Sequence, residues 1–226
     1  MMTLLVAVAM VMMNHSCSKE ELEYQAGDLS VCIEAGDGWL HDYPLFLGIN
    51  KKNPPQIAIW LEDDNGRYLT TLYASKKIAT QGWVSAHGNP RKEALPCWSH
   101  RCGGLPLTDG MTGATPRKSF DVRMKDKAEL RQCRVMIEVN HSIDWNEAYP
   151  ENAEAGAANY SGGDEGSGQP ALVYRTDVDL DSGRKTFEAI LIGHSSPDGT
   201  DGDIHHDMDG ITSALTIVKR ISIQIK

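Results

Sequence analysis

Apolar residues in this chain recur at every second position rather than every third or fourth. Leu29, Val31 and Ile33 form one such set, Phe120, Val122 and Met124 another, and Val135, Ile137 and Val139 a third. Successive strand side chains point to opposite faces, so this period gives each strand one apolar face. Segments 56–62 and 67–73 flank "DDNG", whose Asn-Gly pair signals a tight hairpin. Residues 132–141 read as one long strand. "ALVYRTDVDLDSGRKTFEAILIGHS" reads as strand, turn at Asp181–Gly183, strand, and apolar alternation from Ile217 to Ile225 closes the chain. A short helical turn is expected near 211–218.

Each strand's single apolar face must be covered by a second layer. The expectation is therefore an all-β, two-sheet immunoglobulin-like sandwich with long loop insertions. It spans 29–226 as one domain. Two irregular stretches interrupt the pattern. Residues 76–118 carry Trp83 and Trp98 and are expected to pack over one end of the sandwich. Residues 144–170 are polar and Gly-rich and read as a mobile surface loop.

A length of 226 residues with 41% hydrophobic content is enough for one sizeable core. The formal net charge is −9 and no basic stripe appears, so nucleic acid is not an expected partner. The first 13 residues, "MMTLLVAVAMVMM", carry no charge and sit where a secretory h-region sits. Residues 1–16 read as a signal peptide. A small residue precedes Cys17, and the pattern resembles a bacterial lipoprotein cleavage site. On that resemblance Cys17 is the lipidated N-terminus and 17–28 a linker, placing the protein in the periplasm or on the outer membrane through a lipid anchor. The competing reading is an N-terminal helix of a cytosolic protein. Four further cysteines, Cys32, Cys97, Cys102 and Cys133, permit disulfides, with a local Cys97–Cys102 bridge across "WSHR" the plainest.

The stretch with most apparent chemistry is "DGMTGATP", 109–116. It sets a carboxylate, two hydroxyls and three small residues ahead of Pro116. Asp109, Thr112, Gly113, Ala114 and Thr115 match a D-x-x-(S/T)-G-A-T pattern. With "AIWLEDDNGRYLTTL", "EVNHSIDWNEAYP", "GQPALVYR" and "LTIVKRI", the chain resembles a family of predicted periplasmic domains of unknown function associated with FAD:protein FMN transferases. The resemblance covers roughly 54–226. It implies covalent FMN on Thr115 through a phosphoester, with Asp109 positioning the hydroxyl beside the transferase's magnesium ion. Gly113 and Ala114 would slim the loop, and Pro116 would bias Thr115 toward extended backbone with its side chain outward. Such a protein is a redox carrier rather than a stand-alone enzyme. Its partners would be the FMN transferase and a membrane redox protein. Trp83, Trp98 and His100 are the candidates for covering the flavin ring.

The alternative is a non-redox periplasmic or surface binding module, in which "TGATP" is only a turn. For it the sequence offers "DGTDGDIHHDMDG", 198–210, where Asp201, Asp203, His205 and Asp207 are candidate ligands for a divalent cation. A solvated acidic loop explains the same residues. His141 and Trp145 follow a strand end, and His194 ends another, which makes them weaker site candidates.

Overall fold

A computed structural model describes residues 20–24, 29–44, 49–83, 90–103, 110–124 and 131–226. The leader, Cys17 and Asp109 lie outside the described residues. The chain is all-β. Twelve strands run β1 (Glu20–Tyr24), β2 (Leu29–Ala35), β3 (His41–Pro44), β4 (Asn50–Asn53), β5 (Gln56–Glu62), β6 (Tyr68–Ser75), β7 (Met111–Gly113), β8 (Phe120–Met124), β9 (Gln132–Asn140), β10 (Leu172–Asp179), β11 (Thr186–His194) and β12 (Val218–Ile225). Two short helices, α1 (Lys76–Thr80) and α2 (Pro96–Arg101), lie in the 76–118 stretch.

Ten strands form one continuous sheet in the order β1-β8-β2-β12-β11-β10-β9-β5-β6-β7, while β3 and β4 pair separately. Two pairs are parallel, β1 with β8 and β6 with β7; the rest are antiparallel. A bulge in β11 at Ile192, opposite Val173 and Tyr174 of β10, lies where the two halves of the sheet join, and bulges locally increase bend and twist. The sheet curls so that its halves share one core: Val31, Ile33 and Phe120 from one half pack with Ile57, Leu61 and Ile137 from the other. The rings of Tyr73 and Phe120 meet across it at 5.8 Å.

Coverage differs along the sheet. β8 alternates buried and half-buried residues, and β12 exposes Lys219, Arg220 and Gln224. β5 and β9 are buried on both faces. Their second face is covered by α1, α2 and Trp83, which with Trp60, Trp98 and Met136 form a second apolar cluster. Strands covered twice need near-continuous apolar runs, which is why "IAIWL" and "VMIEV" do not alternate cleanly. Glu138, fully buried in the middle of β9, accepts hydrogen bonds from the backbone N–H groups of Cys97 and Trp98 and so ties the first turn of α2 to the sheet.

The hairpin at "DDNG" forms as the sequence predicts, with the Asp63 carboxylate accepting from Asn65 and Arg67 backbone N–H groups. The helical turn near 211–218 is a single 3-10 turn, Ser213–Thr216. The 144–170 stretch differs from expectation. Ser161, Ser167 and Gln169 are buried, and the backbone pairs Ile143 with Gly166 and Asp144 with Ser167. Gly166 and Gly168 serve close packing there: a Cβ on Gly168 would lie 2.4 Å from the Asp144 backbone. The Cys97–Cys102 bridge is not formed; Cys97 sits at the start of α2 and its thiol donates to the Asp203 carbonyl at 3.2 Å. Among the described residues no helix is long and apolar enough to cross a membrane.

Candidate functional site

The 110–116 turn closes on itself. Gly110 has a φ of +87°, and a Cβ there would meet the Thr71 carbonyl oxygen at 2.6 Å, so the backbone requires glycine. Met111–Gly113 then pairs with Tyr73–Ser75 as a three-residue edge strand. Thr112 and Ala114 are exposed, whereas Thr115 is only 8% exposed and Pro116 is buried. The expectation that Pro116 turns the Thr115 side chain outward is thus corrected. Thr115 Oγ1 lies 2.6 Å from Ser75 Oγ. Ser75 Oγ accepts from the Ile57 N–H at 2.9 Å and donates to the Ile57 carbonyl at 3.2 Å. Each hydroxyl has one proton to give, and the Thr115 hydroxyl is engaged with Ser75 as donor or acceptor. The Trp39 indole N–H donates to the Pro116 carbonyl at 2.9 Å and holds the far side of the turn.

The residues nominated as ring cover do not surround Thr115. Trp98, on α2, is fully buried, its indole N–H donating to Thr71 Oγ1. Trp83 is 3% exposed. His100 is exposed, and its Nε2 lies 3.3 Å from the Gly199 carbonyl. The acidic loop is likewise built of turns. Asp201 accepts from the Asp203 N–H, Asp207 from the Asp209 N–H, and Asp198 from Thr200. His205 Nε2 reaches Asp201 at 3.5 Å and its ring stacks on His194 at 5.5 Å. Among the described residues no three His, Cys, Asp or Glu side chains converge on one point, so Asp201, Asp203, His205 and Asp207 do not form the expected cation cluster. Carboxylates that accept the N–H two residues on are acting as turn formers.

Polar groups converge elsewhere, in a cleft between the β3–β4 hairpin, α1 and the end of β9. Its volume is about 190 Å³. The hairpin register sets His41 opposite Asn53 and Tyr43 opposite Lys51. Opposed strand residues share a face, and these four line the cleft. Asp42 and Lys52, on the other face, pair with each other at 3.1 Å. Lys77 comes from the first turn of α1, while His141 and Ser142 follow β9. Arg91 is held rigidly: Nε donates to Glu93 at 2.7 Å, Nη1 to Ser142 at 2.6 Å and Nη2 to Ser167 at 3.2 Å. Its guanidinium lies 4.7 Å from the Trp83 ring centre, and the Lys77 ammonium 5.7 Å from the same ring.

The cleft carries like charges. Lys51, Lys77 and Arg91 line it, against a single carboxylate, Glu165. The Lys77 ammonium is pushed below its ordinary range, first by burial and then by the positive charges of Lys51 and Arg91. His141, 4% exposed, is pushed down to about 4 by burial, opposed in part by its hydrogen bond to Gly38 and lowered further by His41. Its Nε2 lies 2.8 Å from the Gly38 carbonyl. A carbonyl only accepts, so Nε2 carries the proton of the neutral ring. The His41 and His141 rings are 5.0 Å apart. Trp145, the other strand-end candidate, does not line the cleft.

Of these groups the sequence reading singled out only His141 and Trp83. Lys51, Lys77, Arg91 and Gln56 went unnoticed. The available signal was "NKKN" in a chain of net charge −9, a basic strand with no apolar member. Comparison with models of protein families, with curated proteins and with solved structures finds no match to this chain.

Proposed function

We propose that this protein is a non-redox, extracytoplasmic binding module whose cleft beside β4 captures a small anion. The observation that carries the reading is the gathering of Lys51, Lys77 and Arg91 around about 190 Å³, where Lys77 feels the positive charges of Lys51 and of Arg91, itself paired to Glu93. An anion seated between them relieves that repulsion and gains charge-assisted hydrogen bonds. The volume falls below the roughly 300–1,000 Å³ of drug-sized sites, so the ligand is about one ring or one short acid. The scaffold reads as an elaborated immunoglobulin-like sandwich in which one half of a curled sheet covers the other and the hairpin β3–β4 walls the site.

The covalent-flavin reading draws less support. It asks Thr115 to give up its Ser75 bond, and Thr115 lines none of the hollows beside the cleft. The "TGATP" turn then has a structural role: it satisfies the end of β6 and fixes the sheet edge. Export and lipidation at Cys17 are part of the proposal on sequence grounds.

Titration calorimetry of the full chain with glucuronate and with inorganic phosphate tests the reading. Saturable 1:1 binding is expected for at least one, weakening with salt. The paired change Lys51→Glu and Lys77→Glu should weaken it by roughly a hundredfold, since facing like charges cost several kcal/mol. Binding of neither anion, or binding indifferent to both charge reversals, would overturn it. So would a mass increase of one FMN on Thr115 after co-expression with an FMN transferase.

A further inference from the structure

The β3–β4 hairpin has a second side. Lys52 and Asp42 lie on the face away from the cleft, and there Lys52 lines a shallow hollow with Asp37, Arg117 and Lys118. The Arg117 guanidinium donates to the Lys52 carbonyl at 2.6 Å, which holds the hairpin against the chain entering β8. Register brings two more cations to this end of the sheet. β2 sets Ile33 opposite Phe120 at the start of β8, and β12 sets Arg220 opposite Glu34. Lys51, Lys52, Arg117, Lys118, Lys219 and Arg220 are all exposed. Asp37, Asp42 and Glu34 lie among them. Asp42 is paired with Lys52 at 3.1 Å, and Glu34 with Lys219 at 2.6 Å and Arg220 at 3.4 Å. Cations thus outnumber carboxylates around the hollow, in a chain whose net charge is −9.

The first strand starts at the same place. β1 runs parallel to β8 with Glu20 paired to Phe120, so Glu20 sits beside the strand end that follows Arg117 and Lys118. Glu20 is three residues after Cys17. Adjacent strands are about 4.8 Å apart, and three extended residues reach about 10 Å. A lipid on Cys17 is therefore tethered within about 15 Å of Phe120. We propose that this basic end of the molecule, centred on Lys52, Arg117 and Lys118, docks on the anionic headgroups of a bilayer. The direction of docking rests on the lipidation reading of Cys17, since an anchor there turns this end of the sheet toward the membrane. An anionic leaflet attracts Lys and Arg held within a Debye length of it, about 8 Å. Ile49, 57% exposed just beyond the Pro44–Asn50 pair of the hairpin, adds an apolar side chain for the headgroup boundary.

The test is co-sedimentation of the full chain with vesicles, using a Cys17→Ser chain that carries no lipid. Vesicles of phosphatidylcholine mixed with phosphatidylglycerol should bind it about tenfold or more tightly than phosphatidylcholine alone, the difference shrinking with salt. The net charge of −9 taken by itself predicts the reverse order. Lys118→Glu should cut that preference about fivefold or more, and adding Arg117→Glu should abolish it. Lys185 lies at the other end of the sheet, because Thr186 is level with Gln224, Gln224 with Ser30 and Ser30 with Arg123. Lys185→Glu changes the net charge equally and should leave the preference intact. Equal binding to both kinds of vesicle, or equal losses in Lys118→Glu and Lys185→Glu, would overturn the inference. Lys118 does not line the cleft, so its reversal leaves calorimetry with small anions as the separate test of the cleft. The intact mass of the exported wild-type chain reads the anchor independently: no lipid on Cys17 would remove the anchor, while docking stands or falls on the vesicles.

Discussion

The 110–116 turn and the cleft beside β4 are joined by one short run of chain: Ser75, which holds the turn, lies two residues before Lys77, which lines the cleft. Their polar groups behave in opposite ways. In the turn the inner hydroxyls are spent on structure, with Thr115 and Ser75 hydrogen-bonded to each other and Ser75 also meeting the N–H and the carbonyl of Ile57. In the cleft the Lys77 ammonium faces the positive charges of Lys51 and Arg91. A satisfied network specifies a fold, whereas an unsatisfied one is a place for something to bind.

That contrast breaks or sharpens under pressure on each side. The largest effect is expected from ionisation on the covered face. Burial raises the Glu138 carboxyl to about 7, against the N–H donors of Trp98 and Cys97 and the charge of Arg101, which lower it. A raised folded value means the native state holds the proton more tightly. Its stabilisation is complete below about 4.5 and is lost as pH rises through about 7, a change of roughly 3 kcal/mol. His141 acts in the opposite sense. Its depressed folded value gives stability that is present above about 6.5 and lost as pH falls through about 4. The two slopes oppose each other over most of this window, so wild-type stability in urea should change little between pH 4.5 and 6.5. In a His141→Gln variant, stability should fall steadily across it. A His141→Gln profile as flat as wild type would show that Glu138 is not buried as described.

Next in size are the turn's hydroxyls. Ser75→Ala leaves the Ile57 N–H and the Thr115 hydroxyl without their partner and should cost about 2 kcal/mol, read from the urea midpoint. Thr115→Val removes one end of a single bond and should cost about 1 kcal/mol. Equal, negligible losses for both would mean the turn is open and Thr115 available. Smallest is Lys77→Ala in the cleft, expected within about 0.5 kcal/mol of wild type, because an exposed charge held among like charges contributes little to folding.

The sequence made the sheet legible where one face meets solvent and the other the core. The alternation in β8 and β12 and the Asn-Gly hairpin after β5 needed only local rules. It said little where tertiary context decides. β4 is "NKKN", with no apolar residue to mark a strand, and is paired only by β3. α2 is six residues with no side-chain N-cap; its first turn is satisfied from a strand some forty residues away through Glu138. The meeting of Gln56 with Asn140 follows from β5–β9 register, which no local pattern encodes. In the acidic loop the spacing that suggests cation ligands is also the spacing of carboxylates that close their own turns.

The central claim is that the cleft, not the turn, receives the ligand. It is tested most directly by following backbone amide resonances of the full chain while glucuronate is added. The account predicts saturable shifts clustered at Lys51, Gln56, Lys77, Trp83 and Ser142, with Thr112, Gly113 and Thr115 unmoved. Shifts centred on 112–115, or none anywhere at millimolar ligand, would contradict it.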